Sequence, residues 1–233
     1  MTPTNPQHPH PVDQPVRIPA GGVVLEGDLK LPPSAPGVVL FAHGSGSSRH
    51  SPRNQFVAAV IRETGLGTLL FDLLTREEEQ EEARTGALRF DLGLLAGRLV
   101  AATRWLETQP ETRGLKVGYF GASTGGGAAL MAAAELGEGV AAVVSRGGRP
   151  DLAGAALPNV QCPTLLIVGG HDDVVIALND EAYAALRCEK DFQIVPGATH
   201  LFGEPGKLEE VARLAALWFG KHLAKREHGG RHP

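Results

Sequence analysis

The chain has 233 residues, is 42% hydrophobic and carries a formal charge of −4. That is enough length and apolar content for one domain that folds without a metal or partner, and no basic excess points to nucleic acid. No stretch is long and apolar enough to span a bilayer, and the opening MTPTNPQHPHPVDQP lacks the basic and apolar regions of a secretory leader, so the expected location is the cytoplasm.

Residues 1–15 are rich in proline and polar side chains, which predicts a disordered tail. His8 and His10 alternate with prolines there and read as part of that tail, not as a metal site. Residues 16–18 and 23–29 predict two short strands around the turn at 19–22, an antiparallel pair at one edge of a sheet. Residues 38–42 form a continuous apolar run between Pro36-Gly37 and His43-Gly44, as expected for a strand covered on both faces. Residues 68–71, 117–120, 140–144, 164–168 and 191–195 repeat that character. Apolar residues recur at helical spacing over 54–63, 92–107, 124–136, 178–186 and 207–223.

Strands alternating with helices predict an α/β domain over 16–223, a mostly parallel sheet with helices on both faces, followed by a disordered tail at 224–233. The acidic stretch within 75–91 reads as a solvated loop or exposed helix start; runs of like charge usually face water rather than hold a metal. Cys162 and Cys188 are too few for a disulfide framework and lie in no metal-ligand spacing, so they read as reduced thiols.

The strongest chemical signal is Gly121-Ala122-Ser123-Thr124-Gly125, a G-x-S-x-G pattern with an apolar strand before it and an alanine-rich helix after it. A serine on such a sharp turn is lifted above the sheet, with the helix N-terminus beneath it to favour a developing anion. A phosphate-binding turn is the competing interpretation, but no Walker lysine follows.

A serine hydroxyl needs a base, and the base needs an orienting carboxylate. Asp172 follows the strand at 164–168 and is the chosen acid, with Asp173 as the alternative. His171 precedes the acid and reads as a loop histidine. His200 follows the strand at 191–195 and is the chosen base; His222 and His228, in the last helix and the tail, do not fit. The turn after residues 38–42 is His43-Gly44-Ser45-Gly46. It can aim a backbone N–H at the oxyanion: Ser45, or Gly46 in its place, with Thr124 as the second donor. His43 reads as a brace for that turn.

Together, His43-Gly44-Ser45-Gly46, the Ser123 turn, Gly169-Gly170-His171-Asp172 and Gly197-Ala198-Thr199-His200 resemble the α/β-hydrolase superfamily, specifically its dienelactone hydrolase-like branch, over residues 16–223. Dienelactone hydrolases proper use a cysteine nucleophile where this chain has Ser123, which points toward carboxylic ester hydrolysis. The resemblance implies no metal and no organic cofactor.

Residues 146–163 are too short to hold a helical cap domain, which predicts an open site for small esters. Arg146 and Arg149, just past a strand end, are candidates for gripping a substrate carboxylate, with Arg49 as a third. A thioesterase, lactonase, peptidase or acyltransferase would use the same triad, and a non-catalytic binding module with this fold is the remaining alternative.

Overall fold

The computed structural model, which describes residues 10–224, gathers the apolar runs into one eight-stranded sheet. Two strands alternate inward and outward residues, β1 (Val12–Ala20) and β2 (Val23–Leu31), and form the antiparallel edge. Val16, Ile18, Leu25 and Leu29 point into the core, while Arg17 and Glu26 point outward. β3 (Gly37–Ala42), β4 (Gly67–Phe71), β6 (Ala142–Arg146) and β7 (Thr164–Gly169) are buried along their whole length. With β5 (Lys116–Ala122) and β8 (Lys190–Val195) they complete the order β1-β2-β4-β3-β5-β6-β7-β8. β2 meets β4 antiparallel, and every pairing from β4 to β8 is parallel.

Helices cover both faces. On one, α1 (Pro52–Glu63) and α6 (Lys207–Leu223) pack Val57, Ile61, Ala215 and Phe219 against Val39, Phe41 and Val144. On the other, α3 (Leu92–Thr108), α4 (Thr124–Leu136) and α5 (Asp173–Ala185) bury Leu99, Leu130 and Ala182 against Leu40, Tyr119 and Leu166. The segment after β6 holds only 3-10 turns, Pro150–Asn159, packed on α4 and α5, so no cap domain is inserted there.

Two expectations need amendment, and the choice between a solvated loop and an exposed helix start within 75–91 is decided for the helix. The first strand starts at Val12, so residues 12–15 pair with β2 rather than forming a tail; the tails expected at 1–9 and 225–233 lie outside the described residues. The fifth helix begins at Asp173, five residues before its periodic apolar pattern. The acidic stretch is a helix, α2 (Arg76–Thr85), started by a capping box between Thr75 and Glu78 and stopped by Gly86 in the left-handed region. Its charges are anchored. Arg98, 6% exposed, donates to Glu78 Oε1 and to the Ala20 carbonyl, each at 2.6 Å. Glu82 is buried and accepts from the Leu88 and Arg89 N–H groups and from the Arg89 guanidinium. Among the described residues, no helix is long and apolar enough to cross a membrane.

α4 docks on the sheet through glycine. A Cβ on Gly125 would fall 2.2 Å from the Ala42 carbonyl oxygen, and one on Gly121 would fall 2.5 Å from the Gly125 carbonyl oxygen. Gly125→Ala is expected to cost about 1–3 kcal/mol in urea denaturation, because backbone rather than a flexible side chain stands in the way.

Candidate active site

Ser123 stands between the end of β5 and the start of α4 with φ 51° and ψ −123°. Backbone of this kind costs a non-glycine residue about 1–3 kcal/mol and persists only where neighbours hold it. Here the Ser123 N–H donates to the Arg146 carbonyl at 3.2 Å, and its carbonyl accepts from Gly126 at 2.9 Å and Arg149 at 3.0 Å. The first turn of α4 contains no acidic residue, so its partial positive charge is not offset there.

The turn after β3 passes directly over the serine: a Cβ on Gly44 would lie 3.1 Å from Ser123 Cβ. Ser45 Oγ and Thr124 Oγ1 are 3.1 Å apart, so the two chosen oxyanion donors are neighbours. As the first helical residue of α4, Thr124 has no intrahelical acceptor for its N–H. Gly46, the alternative to Ser45, adopts φ 67° in the same turn. His43 braces the turn as expected. Its Nδ1–H donates to the Gly44 carbonyl and its Nε2 accepts from the Leu73 N–H, both at 3.0 Å. Nε2 is therefore the unprotonated nitrogen, and burial pushes the ring's pKa down.

The loops after β7 and β8 are zipped together. Gly170 N donates to the Val195 carbonyl and His171 N to the Ala198 carbonyl, each at 2.9 Å. Gly169 permits the approach, since a Cβ there would fall 2.5 Å from the Ala198 carbonyl oxygen. This brings Asp172 Oδ2 to 2.6 Å from His200 Nδ1. The carboxylate can only accept, so Nδ1 carries the proton and Nε2 is left free to act as a base. Asp173 is instead the first residue of α5. Two residues that sequence reasoning missed steady His200. Glu204 accepts from Thr199 N–H at 3.1 Å and from its hydroxyl at 2.6 Å, which lowers the carboxyl pKa. Gly147, at φ 50°, lies against the His200 ring: a Cβ there would meet Cε1 at 3.6 Å.

The three candidate arginines have different surroundings. Arg149 is paired through two nitrogens with Asp151, at 2.8 and 2.7 Å. Arg49 is enclosed by Asp72, Glu26 and Asp28, so it ties the turn to β2 and to the residue after β4. Arg146 is 4% exposed and, among the described residues, has no carboxylate partner. Its Nη2 donates to Asn54 Oδ1 at 3.4 Å, and its guanidinium lies 5.8 Å over the Phe202 ring. Nothing in the sequence marked Asn54 or Phe202 as its neighbours.

A cavity of about 720 Å³ opens beside the turn, between residues 43–53 and α2, with Leu73, Leu74 and Leu95 as its apolar floor. Gly44 and Ser45 border it, but Ser123, Asp172 and His200 do not, so it adjoins the serine across the turn. The acidic helix is thus a wall of the cleft. Among the described residues, no three His, Cys, Asp or Glu side chains are grouped to hold a metal ion. Cys162 and Cys188 are unpaired.

The Dienelactone hydrolase family matches residues 25–221. The chain is 58% identical over 211 residues to a Mycobacterium tuberculosis protein named "Putative phosphoribosyl transferase", covering 91% of this chain and 47% of that protein. It therefore spans about half the length of that relative. The crystal structure of a dienelactone hydrolase from Anabaena variabilis superposes with a TM-score of 0.90 at 61% identity, over 92% of this chain and 99% of that one. A serine hydrolase without a lid from Xanthomonas campestris shares the fold at 22% identity and a TM-score of 0.72, over 92% and 97% of the two chains.

The buried His43 gives a pH test. The folded chain holds this ring neutral, with its pKa below the ordinary 6.5, so the unfolded chain binds the proton more readily. The stability that His43 contributes is present above about pH 6.5 and is lost as pH falls below it. His43→Gln is expected to flatten that acid-side loss in thermal unfolding at pH 7.5 and 5.5. An unchanged slope would contradict the neutral, bracing imidazole.

Proposed function

The chain belongs to the dienelactone hydrolase family, and on that premise we propose that it is a serine hydrolase that cleaves small carboxylic esters through Ser123, His200 and Asp172. The carrying observation is the 2.6 Å contact between His200 Nδ1 and Asp172 Oδ2; a serine held in a left-handed turn between β5 and α4 supports the same reading.

In the proposed mechanism His200 Nε2 takes the Ser123 hydroxyl proton as the oxygen attacks the ester carbonyl. The Thr124 N–H, with that of Ser45 or Gly46, receives the oxyanion. Asp172 keeps the ring in the required tautomer and stabilises the imidazolium. The proton passes to the departing alcohol, and water then cleaves the acyl-enzyme with His200 again as base.

The lack of a cap after β6 supports compact substrates, since little apolar surface is available to wrap a long acyl chain. The name of the Anabaena relative favours a second substrate class, lactones, which the same relay would open by the same steps. The mycobacterial relative's name describes a protein about twice as long, and its activity is not transferred to this chain. Unpaired cysteines agree with a reducing compartment such as the cytoplasm.

Asp172→Asn is expected to lower kcat by about 10⁴-fold on p-nitrophenyl butyrate while the fold is kept. A mild loss would remove Asp172 from the relay. Across p-nitrophenyl esters kcat/KM should fall from butyrate to laurate; faster laurate hydrolysis would contradict the open-site reading. A γ-lactone in the same panel decides between the two substrate classes.

A further inference from the structure

Arg146, the last residue of β6, is almost wholly buried. Arg98, also buried, holds the Glu78 carboxylate. Arg146 holds no carboxylate among the described residues. Burial, with the Arg53 charge nearby, brings its pKa down to about 10, so the side chain is still a cation at neutral pH. A buried cation without an acid costs stability that an apolar side chain of similar length would not. Its compensation is small: one long hydrogen bond from Nη2 to Asn54 Oδ1, at 3.4 Å, and the Phe202 ring, with its centroid 5.8 Å from the guanidinium.

This residue joins the two halves of the site. Its main chain belongs to the serine half: the Arg146 carbonyl accepts the Ser123 N–H at 3.2 Å, and Ala122 is its register partner on β5. Its side chain belongs to the histidine half. Phe202 lies two residues after His200, is 1% exposed and stands at φ 56°. A phenylalanine in that region is strained and stays there only if its surroundings hold it. Gly147, the next residue after Arg146, closes the same gap. A Cβ on it would fall 3.2 Å from the His200 carbonyl oxygen and 3.5 Å from Phe202 Cε2. Asn54 is itself fixed, buried in the first turn of α1 with its N–H donated to Ser51 Oγ. The guanidinium thus ties α1 to the loop that carries His200. It lies outside the cavity lining, so it is not placed to grip a substrate there.

We propose that Arg146 is a positioning residue: held by Asn54 and set against the Phe202 ring, it keeps the His200 loop at the reach that Ser123 requires. The buried charge serves the reaction at the expense of stability. This role rests on Ser123 being the nucleophile and His200 its base.

The test compares wild type, Arg146→Met, Arg146→Lys and Phe202→Leu in p-nitrophenyl butyrate turnover and in thermal unfolding. Arg146→Met is expected to keep or raise the Tm. It should lower kcat about 10–100-fold, with KM changed by less than about twofold. Arg146→Lys returns a cation to the ring without the planar guanidinium and should recover part of kcat. Phe202→Leu removes the ring alone and should lower kcat in the same way. Combined with Arg146→Met it should lose little more than either single variant, because both changes break one contact. A lower Tm with kcat kept would make Arg146 a structural residue and overturn the proposal. A raised KM with kcat kept would overturn it in favour of a substrate-binding arginine. If Arg146→Met fails to fold, Phe202→Leu decides alone, and an unchanged kcat there overturns the role. Turnover that Ser123→Ala abolishes, but that Arg146→Met and Phe202→Leu leave intact, removes the positioning role and keeps the serine hydrolase. A wild type that turns over no ester and takes no fluorophosphonate at Ser123 removes both.

Discussion

Backbone lies against backbone around Ser123 at separations that leave no room for a Cβ. Gly121 faces the Gly125 carbonyl, Gly125 faces the carbonyls of Ala42 and His43, and Gly44 faces Ala122 and the Ser123 Cβ. That approach seats the first turn of α4 against the ends of β3 and β5, which forces the left-handed backbone at Ser123 and brings the Gly44-Ser45 turn beside it. The strain is held by hydrogen bonds to the end of β6 and the loop after it. The serine turn, the Ser45 turn and the Arg146 strand end thus form one unit, and a change in one alters the position of the others.

The other half of the site is a second close approach, that of the loops after β7 and β8. Gly169 and Gly170 let main chains bond to each other, and Asp172 and His200 come together as a consequence. Polar groups at this edge are otherwise committed: His43 to Leu73 and Gly44, Arg49 to three carboxylates, Thr199 to Glu204. Arg53 lines the cavity beside the turn, while Arg146 lies outside that lining, buried against Asn54 and Phe202.

The layered sheet was legible because fully buried strands such as β3 and β7 are continuous apolar runs, and because local periodicity fixes helices such as α3 and α6. The strand-end positions of Ser123, Asp172 and His200 were legible because each follows an apolar run within a glycine-bearing turn. Less visible were features set by contacts distant in sequence. Arg146 alternates onto the face toward α1 and so lies under Phe202, which only the three-dimensional packing decides. The acidic helix α2 read as solvated because charge runs usually are; its Thr75-to-Glu78 capping box was the overlooked local cue, while Arg98 and Arg89 anchor it through the tertiary fold. Val12 to Pro15 extend β1 because β2 is long enough to pair with them, despite a composition that suggests a tail.

The central claim is that the Asp172–His200 pair activates Ser123, and labelling with a fluorophosphonate followed by peptide mapping tests it most directly. A phosphonate adduct is expected on Ser123 in the wild type and is expected to be lost in His200→Ala. A well-folded wild type that is not labelled at Ser123, or a His200→Ala variant labelled as fast as the wild type, would contradict it.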